Sequence, residues 1–411
     1  MTIDAARLES ELEQLATFSE ADPPAVTRVV FTKTDQRARE YIKSLALAAK
    51  LTVREDAGGN TFARWAGSEP GLPAVATGSH IDAIPNAGRF DGTVGVLGGL
   101  EAIRTLQASG FQPRCSIELI MFTAEEPTRF GIGCLGSRLL AGSLDASAGD
   151  RLRDKQGRSL DDVRKEAGFA GSLDSVRLSA GYYSAFIELH IEQGPLLERE
   201  GTPLGIVTAI AAPASLRLTI EGEGGHAGAV LMPDRHDAFL AAAEIALAVE
   251  AAAKNTGAID TVATTGVCDV FPGAVNSIPS RVIMMLDIRD IDGARRDAVV
   301  RATEAASREI SARRGVKIVA ETINADDPAA CDPGLIATLA AAAETCQLRS
   351  REMVSRAYHD SLFMSRIAPV AMLFIPCRNG YSHRPDEYAS SEHIAQGAAT
   401  LAEALRSLTC R

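Results

Sequence analysis

The sequence predicts an α/β fold, a mainly parallel-sheet domain carrying an inserted α+β segment, and two observations carry that prediction. Apolar, β-branched runs alternate with stretches of helical period through the first half of the chain and again near its end. Between them, from about residue 212 to 325, the texture changes to alternating strands around one long Ala-rich helix. The implied organisation is 1–211 and 326–411 as two parts of one α/β domain, with 212–325 inserted as an α+β domain.

Each element follows from its residues in order. MTIDAARLESELEQLATFSE is an acidic amphipathic pattern with no cationic flank, so it reads as neither a signal peptide nor a membrane anchor. AVATGSHID is a strand ending at His80 and Asp82. HIDAIPNAGRFDG then reads as a strand end and a loop. Asp91 stands at the N-cap position of TVGVLGGLEAIRTLQAS, whose Val94, Leu97, Leu100, Ile103 and Leu106 mostly share one helix face. IELIMFTAEE ends at Glu125 and Glu126, and YYSAFIELHIEQG reaches His190. In the insert, SLRLTIEGEG alternates as a half-buried strand and DRHDAFLAAAEIALAVEAAA is a helix with Asp234 as its expected cap. RVIMMLDIRD places Val282, Met284, Leu286 and Ile288 on one face and leaves Asp287 and Arg289 on the other. LIATLAAAAETC and PVAMLFIP resume the α/β pattern, with His383 seven residues beyond.

Composition narrows the function. A chain of 411 residues, 46% of them hydrophobic, can bury large cores. The net charge of −11 argues against nucleic acid and anionic membrane as partners, since both favour basic surfaces. No run reaches the roughly 20 apolar residues of a spanning helix. The seven cysteines are scattered and contain no CxxC pair, which fits neither a disulfide framework nor a structural zinc site. These features point to a cytoplasmic protein with a small ligand.

The chemistry gathers at strand ends, where ligands bind in open α/β sheets. His80, His190 and His383 all follow predicted strands, and Asp91 with Glu125–Glu126 adds carboxylates. Together they form a donor set suited to zinc, manganese or cobalt. Two adjacent glutamates can divide the work: one binds a metal while the other shuttles a proton from water to a leaving nitrogen. GEGGHA formally satisfies GxGxxA, but no helix opens directly behind it, which excludes a dinucleotide fingerprint.

GSHID with its downstream FDG, TAEEPTRFG, ELHIEQGP, GGHAG and YSHRPDEYAS lie in that order along the chain. Together they resemble the dinuclear metal amidohydrolases of the M20 peptidase clan, in the hydantoinase/carbamoylase branch. That resemblance implies two divalent ions, manganese first among them and zinc or cobalt as alternatives. His80, Asp91, Glu126, His190 and His383 would be the ligands, with Asp91 bridging. It implies Glu125 as general base, Asp82 orienting His80, and His226 stabilising the oxyanion, in the family sometimes from the partner subunit's lid. Asn276 and Arg289 would bind a substrate carboxylate, with Gln193 a further contact; a homodimer through the insert is implied as well.

Longer stretches, among them GSHIDAIPNAGRFDG, SRAYHDSLFM and FIPCRNGYSHRPDEYAS, resemble the members of this family that act on ureidoglycolate. Where carbamoylases and allantoate amidohydrolases usually carry GAGHD, this chain has RAYHD, so Tyr358 replaces a glycine beside His359. A phenol there would shrink the pocket in favour of a short hydroxylated substrate. The expected reaction is hydrolysis of the ureido C–N bond of (S)-ureidoglycolate. The rivals are the same chemistry on N-carbamoyl-L-amino acids or allantoate and, remotely, a non-catalytic binding protein on the same fold.

Overall fold

The structure is a computed structural model and describes residues 2–410. It contains two compact units. The larger comprises the chain up to Thr208, Cys331–Ser355 and the chain from His359 onward; the smaller comprises Ala209–Ala330 with Arg356–Tyr358.

The larger unit is organised by a mixed sheet. Its centre is four adjacent parallel strands, in the order Val370–Ile375, Tyr183–Ile191, Ala74–His80 and Ile117–Phe122. The flanking strands are antiparallel: Leu204–Ile210 on one side, and Thr61–Trp65 then Thr52–Glu55 on the other. Three of the central strands are buried along their whole length, as parallel strands covered on both faces must be. Because those strands run the same way, their carboxyl ends deliver His80, Glu125–Glu126, His190 and His383 toward one edge of the sheet.

Two local expectations are corrected here. The segment between His80 and Asp91 is not simply a loop: Ala83–Ala87 forms a strand that pairs antiparallel with Val26–Arg28. The following helix, Thr93–Ala108, is capped by Gly92 and not by Asp91. Gly92 has a φ of 67°, and a Cβ there would lie 2.5 Å from the His80 ring, so the turn needs glycine twice over. Asp91 is thereby released from capping and its carboxylate is turned toward the histidines.

The smaller unit is a four-stranded antiparallel sheet in the order Val262–Phe271, Arg281–Asp290, Ala212–Glu221, Lys317–Ala325. Val282, Met284, Leu286 and Ile288 share its buried face with Leu216, Leu218 and Ile220, against helices Ala238–Lys254 and Gly293–Arg314. The cap of the Ala-rich helix is Asp237, whose side chain accepts from the Phe239 and Leu240 amides. Asp234 ends a separate short 3-10 turn. Among the described residues, no helix is long and apolar enough to cross a membrane.

Candidate active site

Among the described residues of the larger unit, three groups of side chains could hold a metal ion: one is Glu188, His190 and His359, and the other two share the Asp91 carboxylate. Donor atoms of His80, Asp91 and His190 all lie within 4.8 Å of one another, and so do those of Asp91, Glu126 and His383. His190 Nε2 is 3.1 Å from Asp91 Oδ1, while His383 Nε2 is 3.1 Å from Asp91 Oδ2 and 3.3 Å from Glu126 Oε1. The two oxygens of Asp91 therefore face different histidines, as a carboxylate between two cations must. The donors are imidazole nitrogens and carboxylate oxygens, which fits two divalent metal ions.

The imidazoles are aimed by backbone. His80 Nδ1 lies 3.0 Å from the Asp82 carbonyl oxygen, and His190 Nδ1 lies 2.9 Å from that of Ile191. A carbonyl only accepts, so each Nδ1 carries hydrogen and each Nε2 is turned to the cluster. Burial drives the His80 imidazole down to about 4, keeping it neutral and able to coordinate. Burial also opposes charging of His190, but the Asp91 carboxylate outweighs it and lifts that ring to about 9. Hydrogen bonds to Asp91 and Glu126 lift His383 to about 11. Burial opposes ionisation of Asp91, yet its hydrogen bonds with His190 and His383 hold it well below the usual carboxylate range. The carboxylates that raise His190 and His383 are groups that would equally stabilise a cation beside them.

Glu125 stands apart from these contacts as a buried carboxylate on the Nε2 side of His80, 3.7 Å from that atom. Burial first, and then the charges of Glu126, Asp360, Asp91 and Asp82, push it well above the usual range. A carboxyl with raised proton affinity is what a proton shuttle requires. The Cys134 thiol donates to Glu125 Oε1 at 3.3 Å, and the Cys134 amide donates to the Glu125 carbonyl at 2.7 Å.

Asp82 acts differently from expectation. Its carbonyl, not its carboxylate, makes the hydrogen bond to His80; the nearer carboxylate oxygen is 3.6 Å away. The carboxylate instead accepts the backbone N–H groups of Glu125 at 3.2 Å and Glu126 at 3.1 Å. Asp82 thus fixes the turn that carries Glu125 and Glu126.

The other candidates fall into two groups. In the larger unit, Gln193 donates to Asp91 Oδ2 at 2.8 Å and to Ser382 Oγ at 3.2 Å. The buried His359 packs edge-on against His190, with ring centroids 4.6 Å apart, and its Nε2 lies 3.0 Å from Ser355 Oγ. In the smaller unit, His226 is exposed on the short strand Gly225–His226, paired with Ser277–Ile278, and Asn276 is exposed beside it. Arg289 forms a two-point pair with Asp287, at 2.7 and 3.1 Å, and donates to the Arg356 carbonyl at 3.2 Å. The Tyr358 hydroxyl is bonded to the Asp326 carboxylate.

Sequence reasoning missed a layer of buried acids behind the cluster. Glu188 accepts from Ser79 Oγ at 2.7 Å and Ser361 Oγ at 2.6 Å, and Asp360 accepts from Ser137. Glu387 accepts from the Phe90 and Asp91 amides. The available signal was the acid inside apolar FIELHI and inside RPDEY, each of which also reads as an ordinary edge or loop residue.

A family model described as Peptidase family M20/M25/M40 matches residues 76–407. The chain belongs to that family. Its members are metal-dependent hydrolases, and all five candidate ligands lie within the matched region. A ureidoglycolate hydrolase of Arabidopsis thaliana is 53% identical over 416 residues, covering 100% of this chain and 87% of the relative. An N-carbamoyl-L-amino acid amidohydrolase of Geobacillus stearothermophilus is 37% identical, covering 97% of each chain. The crystal structure of AtUAH in complex with glyoxylate matches with a TM-score of 0.93 at 52% identity, covering 100% of this chain and 99% of that one. A companion structure of AtUAH contains (S)-hydroxyglycine. The α/β fold with its central, mostly parallel strands is thus shared with solved M20 hydrolases.

Proposed function

We propose that this chain hydrolyses the ureido C–N bond of (S)-ureidoglycolate in purine and allantoin breakdown. The observation that carries the reading is the pair of ligand clusters meeting at Asp91 beside a protonatable Glu125. The substrate follows from likeness to the plant ureidoglycolate hydrolases, far above that to the carbamoylases. Two divalent ions would be held by His80, Asp91 and His190 and by Asp91, Glu126 and His383. When bound, they supply Lewis acidity toward the ureido carbonyl and make water easier to deprotonate. Manganese is our assignment; zinc and cobalt suit the same donors.

The chain's own groups then have defined tasks. Glu125 takes a proton from the attacking water and returns it to the nitrogen that leaves as the C–N bond breaks. Water adds to the carbonyl carbon; the fragments are hydroxyglycine and carbamate, which decompose to glyoxylate with ammonia and to CO2 with ammonia. His226 would stabilise the developing oxyanion. Arg289 and Asn276 would hold the substrate carboxylate; the guanidinium has five N–H donors, so the Asp287 and Arg356 contacts leave others for a ligand. Gln193, Tyr358 and His359 complete the assigned substrate contacts.

A homodimer through the inserted unit belongs to this reading. It is supported by Phe239, Leu240 and Leu247 exposed on the Ala-rich helix and by Val262–Phe271 lying at the sheet edge. A cytoplasmic location is supported by cysteines that are free throughout the described residues. The test is a substrate panel on metal-reconstituted protein. Rapid glyoxylate release from (S)-ureidoglycolate is expected, with little turnover of allantoate or N-carbamoyl-L-amino acids; the opposite ranking would overturn the assignment.

A further inference from the structure

The loop SHRPDEY carries one buried acid among exposed neighbours. His383 to Asp386 and Tyr388 are exposed, whereas Glu387 is only 4% accessible. Its carboxylate reaches across the chain: Oε1 accepts the amides of Phe90 at 2.8 Å and Asp91 at 3.1 Å. Ser382 Oγ lies 2.9 Å from Glu387 Oε2 and 3.0 Å from Asp91 Oδ2, so one hydroxyl sits between the two carboxylates. Gly88 supplies the room, because a Cβ there would lie 2.3 Å from that of Glu387. Glu387 is therefore bonded to the backbone of the shared ligand Asp91 and to Ser382, the residue preceding the ligand His383.

His383 needs such support more than the other histidines do. It lies on a loop with a φ of 60°, and its side chain is 47% exposed. His80 and His190 are buried on central strands, each aimed by a backbone carbonyl. Among the described residues, no hydrogen bond holds the Nδ1 of His383. We propose that Glu387 is a positioning residue for this loop-built half of the cluster. It sets the reach between Asp91 and His383, and hence the affinity for the ion that Asp91, Glu126 and His383 hold. The inference rests on the two-ion reading above.

The experiment is a calorimetric Mn2+ titration of the full-length apo chain, as wild type and as Glu387→Ala, Glu387→Gln, Ser382→Ala and Gly88→Ala. Wild type should bind two ions per chain. Glu387→Ala should weaken one ion by roughly 10- to 100-fold, the range for removing a partner behind a ligand, and leave the other within about threefold. Glu387→Gln keeps an oxygen for both amides and should recover most of the loss. Gly88→Ala, which displaces the carboxylate without removing it, should reproduce the defect, and Ser382→Ala should show a milder form; both serve if Glu387→Ala fails to fold. Two ions bound by Glu387→Ala as tightly as by wild type, or both weakened equally, would overturn the positioning role alone. Fewer than two ions in wild type would instead contradict the two-ion reading beneath it.

Discussion

The two halves of the ligand cluster are built in different ways. His80 and His190 belong to strands at the centre of a fully covered sheet, and their rings are fixed by carbonyls one or two residues away. Glu126 and His383 lie on connections beyond strand ends, and their geometry is held by distant carboxylates: Asp82 for the first and Glu387 for the second. Local backbone can aim a side chain that is already on a rigid element. A ligand on a loop needs a partner from elsewhere in the chain, which places the vulnerable contacts in the residues behind the ligands.

The largest expected effect tests the division of labour between the adjacent glutamates. Glu125→Ala should lower kcat by about 100- to 10,000-fold, the usual span for a general acid–base group, while metal analysis still finds two ions per chain. Loss of an ion from that variant would make Glu125 a ligand and not a base. Next comes the comparison of histidines. His383→Ala should retain one ion by elemental analysis, because His80, Asp91 and His190 remain buried and aimed. If it loses both ions, the halves are not separable. Asp82→Ala removes the acceptor of two buried amides and should cost on the order of 1–3 kcal/mol in thermal or denaturant unfolding. It should also lower kcat, because the Glu125–Glu126 turn loosens. Unchanged stability and turnover would deny Asp82 its place in that turn.

The smallest effect lies outside the cluster, at a half-buried acid. Glu244 is held at about 2 by hydrogen bonds from Arg313 and Arg314. Its folded value is depressed, so its stabilisation is complete above the ordinary carboxylate value near 4.3 and is lost as pH falls through about 2. Glu244→Gln should therefore cost no more than about 1 kcal/mol at neutral pH, as surface pairs do, and progressively less as pH falls through about 2. An equal cost at both pH values would assign its role to packing rather than charge.

Much of this was legible in the sequence where periodicity and strand ends fix a residue's place. Apolar runs too continuous for a one-sided strand announced the central sheet, and the reactive residues at their ends converge at Asp91. The alternation in RVIMMLDIRD told which face is core and left Arg289 beside Asp287, where the two now pair. Contacts decided by a few degrees of backbone were not legible. Asp91 and Asp234 are as good N-caps by residue type as Gly92 and Asp237. A positive φ at Gly92 and an unrelated 3-10 turn decide between them. Asp82 lies two residues from His80 whether its carbonyl or its carboxylate makes the bond. Glu387 pairs with a segment about 300 residues earlier, a closeness that exists only once the chain has folded.

Anomalous diffraction from crystals of the Mn2+-loaded protein would test the shared-carboxylate site most directly. Two peaks are expected, both within ligand distance of Asp91, one against His80 and His190 and the other against Glu126 and His383. A single peak, or two peaks that do not share Asp91, would contradict it.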